Sequence, residues 1–116
     1  MKNQPFLTRF GFAVSGIVAA FAESSFRTHV AATVAVLLAL LWLRPAPMWW
    51  ALMAIAVALV LAAELANTAV ERLADRLHPE RHPAIKLVKD CLAAAVLVSS
   101  VGALAVAAAF VWDLLR

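Results

Sequence analysis

The stretch PAPMWWALMAIAVALVLAAELANTAVERLAD, residues 45–75, decides the fold because it joins a long apolar run to regularly spaced polar residues. Residues 45–63 carry no charge, and a helix needs about 17–25 largely apolar residues to cross a bilayer. Two further stretches, 28–43 and 91–112, also lack Asp, Glu, Lys and Arg. The chain is 66% apolar, against roughly 45–50% in soluble domains. We therefore expect an all-α integral membrane protein with three membrane-spanning helices.

The first of these spans and the segment before it need separate interpretation. Residues 28–43 reach spanning length only if their helix begins near Ser24 or Ser25. The preceding segment has a basic start, an apolar middle and small residues at positions 20 and 22. This pattern is shared by secretory signals and by amphipathic helices that lie on the membrane surface. We favour the surface helix, because nothing after it resembles a secreted domain. The prediction is one domain, 1–116, with a surface helix over about 5–23 and membrane helices over about 25–44, 47–76 and 84–113.

Basic residues concentrate on one side of the predicted membrane. Of the ten Lys and Arg residues, only Arg44 and Arg116 lie at the ends of the spans that face away from the basic loop. Since basic loops stay in the cytoplasm, we expect a bacterial inner-membrane protein with the N-terminus and the 77–86 loop cytoplasmic and the C-terminus periplasmic. The residues on the cytoplasmic side are Lys2, Arg9, Arg27, Arg72, Arg76, Arg81, Lys86 and Lys89.

Two other features agree with this orientation or limit the function. The tryptophans Trp42, Trp49, Trp50 and Trp112 fall near the opposite interface, where amphipathic rings are enriched. The single cysteine, Cys91, excludes an intrachain disulfide. Because the basic residues flank spans rather than form a surface module, nucleic acid is not the expected partner.

Polar residues follow the second span along one helical face. Glu64, Asn67, Glu71 and Asp75 are spaced i, i+3, i+7 and i+11, and Glu64 to Glu71 covers a rise of about 10 Å. An ionisable side chain at membrane depth costs on the order of 3 kcal/mol or more, so it normally faces a partner helix or a watery cavity. Glu64 is therefore the leading candidate for a functional group.

A purely structural interpretation of the same face stays open. In it, Glu71 and Asp75 pair with Arg72, Arg76 or Lys89. Only Glu64 and Asn67 then need buried partners. The functional interpretation rests on two more polar clusters, 23–29 and 86–90, which a hairpin topology places at the same membrane level. Carboxylates bind Mg²⁺ and lysines offset phosphate charge, so the three clusters suit a magnesium nucleotide.

The familiar nucleotide and metal motifs are absent from the sequence. With three glycines, the chain has no Gly-rich phosphate loop. His78 and His82 are four residues apart, as on one face of a metal-binding helix, but Pro79 and Pro83 make a regular helix there improbable. We expect loop histidines in a solvated turn.

The three clusters, in this order, resemble the bacterial diacylglycerol kinase family of small three-span membrane enzymes. ELANTAVERLAD, residues 64–75, matches the family signature Glu-x-aliphatic-Asn-Ser/Thr-Ser/Ala-aliphatic-Glu. ESSFRTH, residues 23–29, is similar to its Glu-x-x-Phe-Arg element, and its histidine is the form common in relatives that phosphorylate undecaprenol. KDCLA, residues 89–93, matches the opening of the family's third span.

The resemblance implies a homotrimer, with sites shared between subunits, that uses ATP and Mg²⁺ to phosphorylate sn-1,2-diacylglycerol at the cytoplasmic membrane face. The product is phosphatidic acid, which feeds phospholipid recycling. Glu64 is the implied general base, Asn67 orders the site, and Glu23 and Glu71 hold Mg²⁺. The implied ATP-binding residues are Glu23, Glu71, Glu80, Arg81, His82, Lys89 and Asp90. The implied lipid-binding residues are Glu64, Ala93, Phe26 and Arg27.

Other functions remain possible at this point. An undecaprenol kinase on the same scaffold is favoured by His29. A small oligomeric proton-coupled transporter or channel would use Glu64 to carry protons or bind cations. A purely structural membrane subunit would leave the three motifs without a role.

Overall fold

The structure, a computed structural model, describes residues 3–116, and all regular structure in that range is α-helical. The expected all-α fold with three long apolar helices is confirmed, because three of the four helices are long and apolar enough to cross a membrane. Lys2, one of the predicted cytoplasmic basic residues, lies outside the described residues. The helices are α1 (Phe6–Ala20), α2 (Ser24–Leu43), α3 (Pro47–Leu77) and α4 (Pro83–Leu115).

Proline and a left-handed residue set the helix boundaries. Pro47 and Pro83 stand at the first positions of α3 and α4, where a helix does not need the missing N–H. At the end of α2, Arg44 adopts a positive φ of 47°, and its N–H donates to the Leu40 carbonyl at 2.8 Å. Pro45 follows and cannot continue the helix. The chain therefore reverses sharply between α2 and α3.

The junction between α1 and α2 is a short turn. Glu23 has extended backbone (ψ 128°) and precedes the first residue of α2, so α1 ends at Ala20, earlier than the surface helix predicted over about 5–23. The Arg27 guanidinium donates to the Phe21 carbonyl at 2.6 Å, and the Phe26 ring packs edge-on against Phe21, with ring centres 5.2 Å apart. These contacts fix Glu23 at the start of α2.

Helix α3 lies at the centre of the packing. Helix α4 runs antiparallel along it, α2 packs on it less extensively, and α1 contacts it. We call the half with the α2–α3 turn the outer half, and the half with the α1–α2 junction and the α3–α4 loop the inner half. The core of the outer half consists of Leu40, Met53 and Phe110.

The outer ends of α3 and α4 are also joined by a polar contact. The Trp49 ring packs 5.2 Å, centre to centre, from Phe110, and its Nε1–H donates to Asp113 Oδ2 at 3.1 Å. Large apolar side chains on the remaining faces, such as Leu38, Leu59 and Leu104, are exposed. Those faces suit lipid or another chain rather than water.

Candidate functional site

The site is built around Glu64, whose residue surface is only 2% exposed. The Ser25 hydroxyl lies 2.7 Å from both carboxylate oxygens, which share its single donated proton. His29 Nδ1 lies 2.8 Å from Glu64 Oε1, off the line of an aligned hydrogen bond. A carboxylate withdrawn from water needs such partners, because an unpaired buried charge costs several kcal/mol.

The helix pattern explains how these three side chains meet. Met53, Ala56 and Val60 are the buried residues of α3 that precede Glu64 in steps of three and four, so Glu64 continues the face that α3 turns towards its neighbours. Ser25 and His29 are four residues apart in the first two turns of α2, which places both on one side of that helix. The α2–α3 packing then brings that side against Glu64.

One turn further along α3, Asn67 presents an acceptor without a partner. Its Oδ1 atom is buried and receives no hydrogen bond from the part of the chain that the structure describes. A buried acceptor left unsatisfied costs about 1–3 kcal/mol. Asn67 therefore suits a role in which a ligand or a further chain donates to it. Glu71, one turn beyond, is partly buried.

Glu23 reaches the same end of α3 through Arg72. The Arg72 Nη2 atom lies 3.3 Å from Glu23 Oε1 and also donates to the Ala19 carbonyl at 3.3 Å. The Glu23 side chain remains 44% exposed, so its carboxylate is accessible to a ligand. This contact ties the α1–α2 junction to α3.

The loop between α3 and α4 borders a cavity of about 570 Å³. That volume lies in the usual range of small-molecule sites, roughly 300–1,000 Å³. The cavity brings together five of the residues predicted to bind ATP. They are Glu80, Arg81, His82, Lys89 and Asp90.

Ion pairs hold the two lysines of this region. Lys89 Nζ lies 2.6 Å from Asp75 Oδ1, which links α4 to α3, and Lys86 Nζ lies 2.6 Å from Asp90 Oδ2 within α4. Lys89 is thus positioned by a carboxylate on the polar face of α3. The Asp75–Lys89 contact agrees with the ion pairing considered in the structural interpretation of that face.

The two loop histidines cap helices. His78 follows the last residue of α3, and His82 precedes α4, where its Nδ1 accepts a hydrogen bond from the Ala84 N–H at 3.0 Å. Their rings pack edge-on, with centres 5.5 Å apart. Both lie outside the helices, as Pro79 and Pro83 predict.

Two of the predicted lipid-binding residues, Phe26 and Arg27, make contacts at the α1–α2 junction. Phe26 is 2% exposed and packs at the α1–α2 junction, where Arg27 also makes its contact. Ala93 is exposed on α4. The position of Phe26 suits a structural role at the junction.

Among residues 3–116, no group of three His, Cys, Asp or Glu side chains converges as a metal site. Mg²⁺ bound with a nucleotide does not require one, since it usually takes one or two carboxylates and fills its other positions with phosphates and water. Glu23, with its exposed carboxylate, and the partly buried Glu71 provide suitable oxygen donors.

Ser25 and His29 are not among the site residues that the sequence predicts. The position of Glu64 at membrane depth indicates that it needs buried partners. The sequence does not indicate which of the polar residues of 23–29 are those partners. The four-residue spacing of Ser25 and His29 was the available signal, but it identifies a helical face only once the start of α2 is known.

Comparison with known proteins gives two findings. The sequence model described as prokaryotic diacylglycerol kinase matches residues 11–111. A curated protein named diacylglycerol kinase, from Synechocystis sp., is 36% identical over 102 residues, which cover 86% of this chain and 58% of that protein. This chain therefore spans less than two thirds of the length of that relative.

Proposed function

Because this chain belongs to the prokaryotic diacylglycerol kinase family, we propose that it is a membrane lipid kinase that transfers the γ-phosphate of ATP to diacylglycerol and yields phosphatidate. The observation that carries the proposal is the buried Glu64 carboxylate, contacted by Ser25 and His29. Beside it lies Asn67 Oδ1, a buried acceptor without a partner among residues 3–116. Buried, oriented carboxylates are suited to general-base chemistry, because they accept a proton from a bound substrate rather than from water.

In the proposed reaction, Glu64 is the general base. The O–H bond of the lipid hydroxyl breaks as its oxygen bonds to the γ-phosphorus, and the bond from phosphorus to the ADP oxygen breaks. The proton ends on the Glu64 carboxyl. Such a step contributes about 10²–10⁴-fold to the rate, and the remainder comes from positioning and charge stabilisation.

The ATP-binding role belongs to the cavity beside the α3–α4 loop. Lys89 and Arg81 offset phosphate charge, and the Asp75–Lys89 ion pair orients the lysine. Glu23 and Glu71 are the residues that hold Mg²⁺ in this proposal. The metal, when bound, neutralises charge that develops on the phosphates.

We also propose that the protein works as a homotrimer in the bacterial inner membrane, with the α3–α4 loop in the cytoplasm. Exposed apolar residues along α2, α3 and α4 support a membrane environment and contact between copies. The basic residues clustered at the inner half support the cytoplasmic orientation of that half. Chemical cross-linking in native membranes tests the trimer, and a ladder that stops at dimers contradicts it.

The direct test is transfer of labelled γ-phosphate from Mg·ATP, in mixed micelles, to diacylglycerol and in parallel to undecaprenol. We expect label in diacylglycerol that is lost in Glu64→Gln. Label only in undecaprenol would replace the proposed lipid while retaining the kinase. No label in either lipid, together with ATP-independent proton flux in proteoliposomes, would favour the transporter instead.

A further inference from the structure

We infer that Ser25 and His29 are positioning residues that together hold the Glu64 carboxylate in one orientation towards the lipid hydroxyl. This inference rests on the proposed function, and it adds two residues to the site that the reaction itself does not identify. Neither side chain needs to contact the substrate or ATP. Their role is to act on Glu64.

The two contacts are unequal on the two oxygens of Glu64. The Ser25 hydroxyl lies 2.7 Å from each oxygen, whereas His29 Nδ1 approaches only Oε1, at 2.8 Å. An ionised carboxylate has about four lone-pair positions for acceptance. Of these two side chains, both lie beside Oε1 and Ser25 alone lies beside Oε2. Oε2 is therefore the less crowded oxygen, and in this proposal it accepts the proton of the lipid hydroxyl.

The burial of Glu64 means that protein side chains must position its carboxylate. Its side chain is 3% exposed, so water does not orient or solvate it, while the His29 side chain is 29% exposed. A glutamate has three side-chain torsions, and a general base must reach the proton at about 2.6–3.2 Å. Contacts from two residues one helical turn apart fix both the position and the rotation of the carboxylate. Without them, the base samples orientations that do not reach the hydroxyl.

His29 also borders a second cavity, of about 310 Å³, between α2, α3 and α4. Thr33, one turn along α2, lines the same cavity, but its hydroxyl donates to the His29 carbonyl at 2.8 Å rather than to Glu64. Thr33 is thus a matched control, because replacing it changes the polarity of the same cavity without removing a donor from the carboxylate. Across the α2–α3 contact, His29 faces the titratable group of Glu64. From α4, Ser100 lines the cavity.

The first test separates positioning from substrate binding. We expect Ser25→Ala and His29→Leu each to lower kcat for lipid phosphorylation, and the double variant to lower it on the order of 100-fold, since misplacing a reacting group by about 1 Å has that effect. The KM for Mg·ATP should stay unchanged, because neither residue lines the loop cavity. Ser25→Thr, which keeps the hydroxyl donor, and His29→Gln, which keeps a polar side chain beside Oε1, should recover part of the rate. Thr33→Val should match the wild type.

Unchanged kcat in both Ser25→Ala and His29→Leu would overturn the inference, as would an equal loss in Thr33→Val. A loss expressed only as a higher KM would also overturn it, because it would place the two residues in substrate binding.

The second test does not depend on activity. The infrared difference between wild type and Glu64→Gln isolates the carboxylate bands of Glu64, whose frequencies respond to its hydrogen bonds. We expect those bands to shift in Ser25→Ala and in His29→Leu and to stay in place in Thr33→Val. Bands that do not move would refute the positioning role of Ser25 and His29, even in an active enzyme. Shifted bands in a protein that transfers no phosphate would support the positioning role of Ser25 and His29 and would reject the proposed kinase activity.

Discussion

The outer and inner halves of the bundle bury residues of opposite character along the same face of α3. In the outer half this face carries the buried Ala56 and Met53, and Met53 packs with Leu40 and Phe110 from the neighbouring helices. In the inner half it carries Glu64 and Thr68, both less than a tenth exposed. Because α3 is helical in both halves, its backbone geometry does not explain why one half buries apolar residues and the other buries polar ones. The explanation lies in the role of the buried side chains.

Apolar packing in the outer half lowers the free energy of the folded chain, whereas burying a charge raises it unless the charge is well partnered. Ser25 and His29 offset part of that cost at Glu64, but an apolar residue there would not incur it. The comparison supports the proposal that the outer half serves stability and that the inner half retains a costly group for chemistry. The substitutions below test that division.

The largest expected effect is loss of phosphoryl transfer in Glu64→Gln. An amide cannot take the lipid proton, so we expect a rate lower by about 10²–10⁴-fold, equivalent to roughly 3–5 kcal/mol on the barrier. The unfolding midpoint, followed by circular dichroism, should not fall, since the neutral amide is less costly to bury. Asp113→Asn, a carboxylate change in the outer half, is the control and should keep the rate. A Glu64→Gln protein with wild-type turnover would remove the base from the mechanism.

The next effect is on stability and belongs to the outer half. Phe110→Ala removes a 6%-exposed ring that packs against Trp49, and we expect a loss of roughly 3 kcal/mol, the low end for Phe→Ala, because lipid is as apolar as the core. Denaturant unfolding in mixed micelles measures it. Val111→Ala, at an adjacent position 50% exposed, should cost far less. Equal losses in the two variants would mean that the outer core does not stabilise the bundle.

A smaller effect sharpens the comparison within the outer half. Trp49→Phe keeps an aromatic ring beside Phe110 but deletes the Nε1–H that donates to Asp113, so we expect a loss of about 1 kcal/mol. The same unfolding assay applies. Trp112→Phe, at a ring 72% exposed, is the matched control and should be neutral. A neutral Trp49→Phe would show that the α3–α4 contact rests on packing alone.

The smallest effect is expected for an exposed ion pair of the inner half. Lys86→Ala breaks the contact with Asp90, in which both side chains are more than half exposed, and such i,i+4 pairs contribute about 0.3–0.5 kcal/mol. The unfolding midpoint should hardly change and should respond little to added salt. A loss above about 1 kcal/mol would mean that the α3–α4 loop stabilises the inner half more than its exposed ion pairs account for.

The amino-acid sequence predicts the helices well and the site in part, for physical reasons that differ between residues. Charge-free runs and the prolines at 45, 47, 79 and 83 indicate where long helices begin and end, because both signals are local. The periodic face that ends in Glu64 is likewise readable from one helix. The partners of Glu64 are not, since Ser25 lies 39 residues away and meets it only through α2–α3 packing.

The same limit applies to the α1–α2 junction. The predicted surface helix runs on to residue 23, whereas the extended backbone of Glu23 and the Arg27 contact with the Phe21 carbonyl end α1 at Ala20. That contact depends on a side chain from the next helix, which no local periodicity contains. The contact of Arg72 with Glu23, which joins the junction to α3, is likewise non-local.

The most direct test measures turnover per folded protein and the unfolding midpoint on the same samples of Glu64→Gln and Phe110→Ala. The account predicts a crossed result: Glu64→Gln is inactive with an undiminished midpoint, and Phe110→Ala is less stable but turns over normally in its folded fraction. A Glu64→Gln protein that retains turnover, or that loses it only because it unfolds, would contradict the claim that the inner half buries its carboxylate for chemistry.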